Sequence, residues 1–334
     1  MKVCLYLELE EELRDSGIGT AIKNQRRSLE LNNVPHTDDL DDDFDILHMN
    51  IIGLKSLYLA KKLRGEGKKI VLHAHVTADD FRNSYRFSNT LAPFLRRYLT
   101  YYYNQADLIL CPSEYTKGVL KRYGIKKPII SISNGIDTNK FRFSEEKRQT
   151  FREKHGINGI TPLCVGHMFI RKGMRSFLKV ARKFDNRFIW LGRRFRGLEE
   201  PEVSSLIKNA PANVAFIEFV DDIVAVYCGT DVFFFPSLCE NQGIVLLEAA
   251  ACRRPIVVRD LPAYEGWLED EINCLKAKNN RELADKRKRV MEDRELAEKL
   301  GNNAYEMSQR HSLDNIGKKL KKIYSDLLDE DIKR

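Results

Sequence analysis

No stretch of this 334-residue chain approaches the roughly 18 consecutive apolar residues that a membrane-spanning helix requires. The seven cysteines are odd in number, scattered, and nowhere form C-x-x-C, which argues against a disulfide framework and a zinc knuckle and for a reducing compartment. There are no internal repeats and no low-complexity tracts. The opening MKVCLYLELEEE places acids directly after a short apolar run, so it reads as a first strand and not as a secretory signal. A soluble or peripheral protein is expected, of a length that suits two α/β domains better than one core.

The net charge of +8 hides an uneven distribution. Residues 1–54 carry 5 Lys/Arg against 12 Asp/Glu, residues 55–127 carry 15 against 5, and the remainder 36 against 31. The basic stretch suggests an anionic partner. No nucleic-acid motif accompanies it, so no nucleic-acid partner is expected, and an anionic membrane surface is favoured. From Leu91 to Tyr103, apolar and aromatic residues recur at 91, 94, 95, 98, 99 and 102, with Arg96 and Arg97 pointing elsewhere. Such a helix either packs on its own sheet or lies in a lipid interface, with tyrosines such as Tyr98 at headgroup depth, Arg96 and Arg97 on phosphates, and Phe94 also facing acceptor or membrane.

Strands are expected near 2–7, 46–49, 69–74, 107–111 and 129–132, separated by helical stretches such as Ile18–Asn32 and Leu54–Arg64. A second series follows at 163–165, 188–191, 214–216, 232–235 and 256–258, after a linker-like helix beyond Ser144. Alternation of this kind implies two doubly wound domains in tandem. The acidic segment Asp38–Asp45 reads as a solvated loop. Its D-x-D spacing lies far from any nucleotide fingerprint, and no metal site is expected there.

The segment Asp231–Asp260 concentrates the chemistry. An apolar strand ends at Pro236-Ser237, a helix opens at Gly243, and Glu240 and Glu248 stand eight positions apart across the turn. In a βαβ unit ligands gather beyond the carboxyl ends of the strands, where Glu240 lies, and a helix N-terminus presents free N–H groups to an anion. Two further glycine loops follow strands. Ser16-Gly17-Ile18-Gly19-Thr20 opens a helix where Gly17 and Gly19 allow a close backbone approach. Gly166-His167-Met168-Phe169-Ile170-Arg171-Lys172-Gly173 ends in two cations. His73 and His75 end a strand on one face, with no third metal ligand evident.

The segment resembles the retaining GT-B glycosyltransferases of family four, whose signature P-S-x-x-E-x-x-G-x-x-x-x-E-A is matched by Pro236, Ser237, Glu240, Gly243, Glu248 and Ala249. The resemblance implies two Rossmann-like domains with an interdomain cleft: residues 1–143, joined by a C-terminal helix 315–334, facing acceptor and membrane, and residues 144–314 holding a nucleotide sugar. It implies that Glu240 positions the donor sugar and Glu248 the ribose hydroxyls, with Gly17, Gly19, Gly166, Asn241, Gln242, Gly243 and Ile244 also lining the donor. His75, preferred over His73, would meet the donor sugar or the reaction centre. Ser133-Asn134-Gly135-Ile136-Asp137 resembles the family's N-G-(V/I)-D turn, with a structural role. Lys172 would neutralise the diphosphate. The family carries an arginine directly after the first glycine, whereas this chain has His167 there and Arg171 further on. Either Arg171 reaches the phosphate by another route or the leaving group has one firm cation.

The runs His75–Pro93 and Ile256–Asn273 further resemble the small glycolipid hexosyltransferases of Gram-positive bacteria and mollicutes that add a second hexose to monoglucosyl diacylglycerol. This likeness implies a UDP-glucose or UDP-galactose donor, no essential metal or other cofactor, and a glycolipid acceptor received by Arg82 and Asn83. It also implies a cytoplasmic protein, peripheral on the inner face of the membrane. A transferase acting on a soluble or cell-wall polysaccharide acceptor is the alternative, and a non-catalytic nucleotide-sugar-binding or nucleic-acid-binding protein a more distant one.

Overall fold

A computed structural model describes residues 1–332 as two compact units. The first contains residues 1–78, 91–137 and the chain from His311 onward; the second contains 79–90 and 138–310. Each is built on a six-stranded, wholly parallel sheet.

In the first unit, β1 (Val3–Tyr6), β2 (His36–Thr37), β3 (Ile46–Met49), β4 (Lys69–His73), β5 (Leu108–Cys111) and β6 (Ile129–Ser131) are ordered β2-β1-β3-β4-β5-β6. The inner strands are mostly apolar because helices cover both faces, as parallel sheets require, with His48 on β3 and His73 on β4 the buried polar exceptions. The helix Gly17–Leu31 is capped by Ser16, whose Oγ accepts from the Gly19 amide at 3.1 Å. The helix Leu313–Ile332 packs against it; residues 333 and 334 of the C-terminal helix expected over 315–334 lie outside the described residues. The two helices cross at Gly317, where a Cβ would stand 2.1 Å from Asn32 Nδ2 and 2.2 Å from the Ser28 carbonyl oxygen.

A polar stack lies under this crossing. The rings of His48 and His73 lie 5.4 Å apart and nearly parallel, and those of His73 and His75 lie 4.1 Å apart at 2°. His48 Nδ1 meets the Tyr324 hydroxyl at 2.7 Å, and Gln25 Nε2 reaches both Asn50 Oδ1 (2.8 Å) and His73 Nδ1 (3.1 Å). The shared face expected of His73 and His75 is present. The rings meet face to face instead of aiming lone pairs at one point, which is not how histidines hold a metal.

The Leu91–Tyr103 stripe resolves into two edges of one helix, Ser88–Tyr103. Leu99, Tyr102 and Tyr103 are core residues, and Tyr98, expected at headgroup depth, instead packs against the core and donates its hydroxyl to the Ile52 carbonyl at 2.8 Å. A stripe at 91, 94, 95, 98, 99 and 102 is wider than one interface can use, so the sheet takes its inner part. Leu91, Phe94 and Tyr101 stay outside, with Phe94 64% exposed.

The second unit orders β7 (Pro162–Val165), β8 (Phe188–Leu191), β9 (Val214–Ile217), β10 (Val232–Phe235), β11 (Ile256–Arg259) and β12 (Leu275–Ala277) as β12-β11-β10-β7-β8-β9. The chain leaves β7 in one direction and β10 in the other, so the topological switch lies between these neighbours. Residues 79–90, which the sequence division kept with the first unit, are tied here by backbone bonds: Arg86 N to Leu198 O at 2.8 Å and Arg171 N to Asn83 O at 3.1 Å.

Two outcomes follow for the first unit. Gly317→Leu forces the C-terminal helix off its seat and lowers stability by about 1–3 kcal/mol or more, the usual cost of overpacking, read from urea unfolding. Burial, with His75 adding to it, holds His48 neutral down to about 3; burial alone holds His75 there; His73 is lowered by burial and by both neighbours. Unfolded histidines titrate near 6.5, so the unfolded chain binds more protons between about pH 6.5 and 3. Stability is therefore full above that window and falls as pH drops through it, by up to about 1.4 kcal/mol per pH unit for each ring. Urea titrations from about pH 6.5 to 5 should show this slope reduced by about one proton in His48→Gln; an unreduced slope would rule His48 out as a source.

Candidate active site

The switch between β7 and β10 gathers the charged residues singled out in the sequence. β10 ends in Pro236 and Ser237, and the turn that follows buries Glu240, 5% exposed. Its Oε1 accepts from the Ser237 hydroxyl at 2.6 Å and from Lys172 Nζ at 2.6 Å. Burial pushes the Glu240 carboxyl up, but Lys172 and Arg171 outweigh it and hold the group below its ordinary range, so it is a carboxylate at neutral pH. Burial draws the Lys172 ammonium down, against the pull of Glu240.

Lys172 is placed by the loop after β7. A short 3₁₀ turn, Ile170–Lys172, ends at Gly173, whose φ of +83° and proximity to the Pro236 carbonyl, 2.1 Å from any added Cβ, admit only glycine. The lysine stem runs beside Gly166, in van der Waals reach of where a Cβ would stand, and its ammonium lies over the Phe235 ring at 5.3 Å.

Glu248 lies on the helix Ile244–Ala251, which Gly243 opens as expected. The Tyr227 hydroxyl donates to Glu248 Oε2 at 2.7 Å, and burial raises the carboxyl's pKa above its ordinary value. Asn241 and Gln242 are buried in the intervening turn.

Arg171 is committed elsewhere. Its Nε donates to Ser84 Oγ at 2.7 Å, its Nη1 to the Cys239 carbonyl at 3.3 Å, and its Nη2 lies 4.0 Å from Asp80. It pins the 79–90 segment and the Glu240 turn to its own loop. His167 is half-buried against Phe169 and Phe195, and desolvation, helped by Lys172, Arg171 and Arg193, lowers its pKa to about 4, so it brings no charge.

The remaining predicted residues fall in two places. In the second unit Arg82 is exposed, and Asn83 donates its backbone N–H to Asn89 Oδ1 at 3.2 Å and accepts at Oδ1 from Asn89 Nδ2 at 3.0 Å. In the first unit, His75 Nε2 meets Asn50 Oδ1 at 2.8 Å beside Asn50 Nδ2 and Gln25 Oε1, two buried atoms with no partner among the described residues. Gly19 spends its N–H on the Ser16 cap and its missing Cβ on the Leu13 carbonyl, 2.2 Å away, whereas Gly17 faces open space. Arg97 is exposed, and Arg96 stacks on Tyr123 at 4.9 Å and donates to the Arg122 carbonyl at 3.0 Å. Among the described residues no group of three or more His, Cys, Asp or Glu could hold a metal ion.

Sequence reasoning missed Tyr227 and Ser84. Tyr227 sits in the apolar helix Ile223–Gly229 and nothing marks its hydroxyl, while Ser84 acquires its role only through the fold. Ser237 stood in the matched signature, but its bond to Glu240 was not foreseen.

Known proteins resemble this chain over nearly its whole length. A family described as "Glycosyl transferases group 1" matches residues 147–307, and "Glycosyltransferase Family 4" matches residues 18–140. The processive diacylglycerol alpha-glucosyltransferase of Acholeplasma laidlawii is 34% identical, covering 98% of this chain and 99% of its own. The alpha-galactosylglucosyldiacylglycerol synthase of Streptococcus pneumoniae is 25% identical, over 83% of this chain and 77% of its own. The structure of HepE from Anabaena in complex with UDP and glucose superposes with a TM-score of 0.80 at 18% identity, covering 98% of this chain and all of that one. With a near-full-length relative at this identity and both halves matched, the chain belongs to the family 4, group 1 glycosyltransferases and has their GT-B fold.

Proposed function

We propose that this enzyme transfers glucose from UDP-glucose to a diacylglycerol-based glycolipid with retention of configuration, giving a dihexosyl diacylglycerol. The observation that carries the reading is the full-length relationship to a diacylglycerol glucosyltransferase in a chain whose Lys172, Glu240 and Glu248 converge at the sheet's switch point. HepE is in complex with UDP and glucose, and the same nucleotide suits the site of this chain. Glu248, with Oε2 held by Tyr227, accepts the ribose hydroxyls through a carboxylate that has several acceptor positions. Glu240, fixed by Ser237, orients the sugar hydroxyls. Lys172 shifts from Glu240 onto the diphosphate as the bond from C1 to the phosphate oxygen breaks, a contact that strengthens with the developing charge. The acceptor oxygen bonds C1 on the face the diphosphate leaves, and the departing phosphate takes the acceptor's proton. The chain's own cations and helix N-terminus carry the charge in this scheme, without a metal.

The acceptor side of the proposal rests on the first unit. Leu54 and Tyr58 on the helix Leu54–Gly65, and Leu91, Phe94 and Tyr101 on Ser88–Tyr103, are exposed among Lys61, Lys62 and Arg97. Lys61 bonds the Tyr101 hydroxyl, so the two helices share this surface. Exposed aromatic and aliphatic residues among cations suit the interface of an anionic bilayer. No helix among the described residues is long and apolar enough to cross a membrane, and peripheral attachment to the inner leaflet is part of the proposal.

The deciding experiment incubates the protein with UDP-glucose or UDP-galactose and monoglucosyl diacylglycerol, diacylglycerol or a soluble glucoside in anionic vesicles, with products identified by mass spectrometry. A diglucosyl lipid from UDP-glucose is expected. Product only on the soluble glucoside would replace the acceptor, and dihexosyl lipid only from UDP-galactose would replace the donor. Lys172→Ala and Glu240→Ala should each lower kcat by about 100-fold or more, the scale for losing one preorganised charge-stabilising contact, with a smaller change in KM. Because each change strands a buried charge, thermal melts must first show a folded variant; a folded variant with normal kcat would remove that residue from the mechanism.

A further inference from the structure

The side chains already assigned to the proposed donor's diphosphate bring little net positive charge. Lys172 is paired with Glu240, so the two largely cancel. His167 is neutral and walled by aromatic rings. Arg171 is spent on Ser84, the Cys239 carbonyl and Asp80.

The loop after β8 offers three arginines, and two are taken. Arg194 donates through Nε and Nη2 to Glu199 Oε1 at 2.9 and 2.7 Å, and Arg196 grips Glu218. Arg193 is exposed and has no hydrogen bond or ion pair from its side chain to any described residue; its guanidinium rests over the Phe195 ring at 5.0 Å. A cation–π contact of this kind leaves the N–H donors of the guanidinium unspent.

Its backbone position is fixed closely. The parallel ladder pairs Leu163 with Ile189, Cys164 with Trp190 and Val165 with Leu191, so two steps further on His167 and Arg193 stand side by side. The Met168 amide continues the pairing by donating to the Arg193 carbonyl at 3.0 Å. Gly192 has no room for a Cβ, which would stand 2.1 Å from the Gly166 carbonyl oxygen, so the two loops are pressed together at the base of the arginine. Its charge is felt at His167 and at Tyr85, both against the Phe169 and Phe195 rings.

We infer that Arg193 contacts the donor's diphosphate, supplying from the strand next to the glycine loop the positive charge that position 167 does not carry. This rests on the UDP-sugar reading above. A guanidinium can hold two phosphate oxygens at once, whereas Lys172 is a point charge, so the two divide the work of orientation and neutralisation.

The test is calorimetric titration of UDP, UMP and uridine into the wild-type chain, Arg193→Ala and Arg193→Lys, with melting temperatures checking the fold. Loss of one charge-assisted phosphate contact should weaken UDP binding about tenfold or more in Arg193→Ala, change uridine binding by less than about twofold, and be partly restored in Arg193→Lys. Wild-type binding of UDP with the same UDP-to-uridine preference in Arg193→Ala would overturn the inference alone. An equal loss for UDP and uridine would also overturn it, because the arginine would then serve the base or the loop. A wild-type chain that binds neither UDP nor UMP would overturn the donor reading and this inference with it.

Discussion

The ion pair between Lys172 and Glu240 is the constraint around which the second unit is arranged. It joins residues 68 positions apart at the point where the sheet changes direction, and both partners are largely buried. A buried pair is costly to desolvate and gives little net stability, so its retention is explained by what it places there. Ser237 fixes the carboxylate, Gly173 and Pro236 press the two loops together, and Arg171 locks the outer segment to the same turn. The result is a cation and an anion held at atomic separation at the end of a parallel sheet, where a ligand bearing both phosphate and hydroxyl groups can exchange partners with them.

Much of this could be read in the chain. Ten strands stood out because strands buried on both faces must be apolar along their whole length, as VFFF at β10 and FIWL at β8 are. β2 and β12 did not: His36–Thr37 is two residues long, and Leu275–Ala277 is a short edge segment with a lysine at its centre. Glu240, Glu248 and Lys172 were legible because glycine and proline punctuate the turns that carry them. Tyr227, which fixes Glu248, and Ser84, which fixes the neighbouring Arg171, were not, since an aromatic hydroxyl in an apolar helix looks like core and a serine in a polar loop looks like solvent. Tyr98 shows the same blindness from the other side: periodicity says which residues share a face and not which part of that face the sheet will cover.

The first unit uses polar groups differently. Where the second unit buries opposite charges, this one buries neutral rings and amides: His48, His73, Gln25 and Asn50, capped by Tyr324. Neutral imidazoles in contact avoid the cost of desolvated charge and still leave directional donors and acceptors beside His75. A site that must receive an uncharged sugar hydroxyl is well served by such a lining, as a site for diphosphate is by paired ions.

The position of the C-terminal helix sets an order of events during synthesis. Tyr324 completes the histidine stack, and Asn32 donates to the Asp314 carbonyl across a sequence separation of 282 residues. The stretch 138–310, which with 79–90 forms the second unit, contains all of that unit's strands and can collapse as soon as it is made. The unit that starts first on the ribosome is thus finished last, and its Gly17–Leu31 helix waits with a bare face until the end of the chain arrives. Truncated products of this protein would carry a completed second unit and an unsealed first unit with exposed apolar surface, which is the kind of species that cellular quality control recognises and removes.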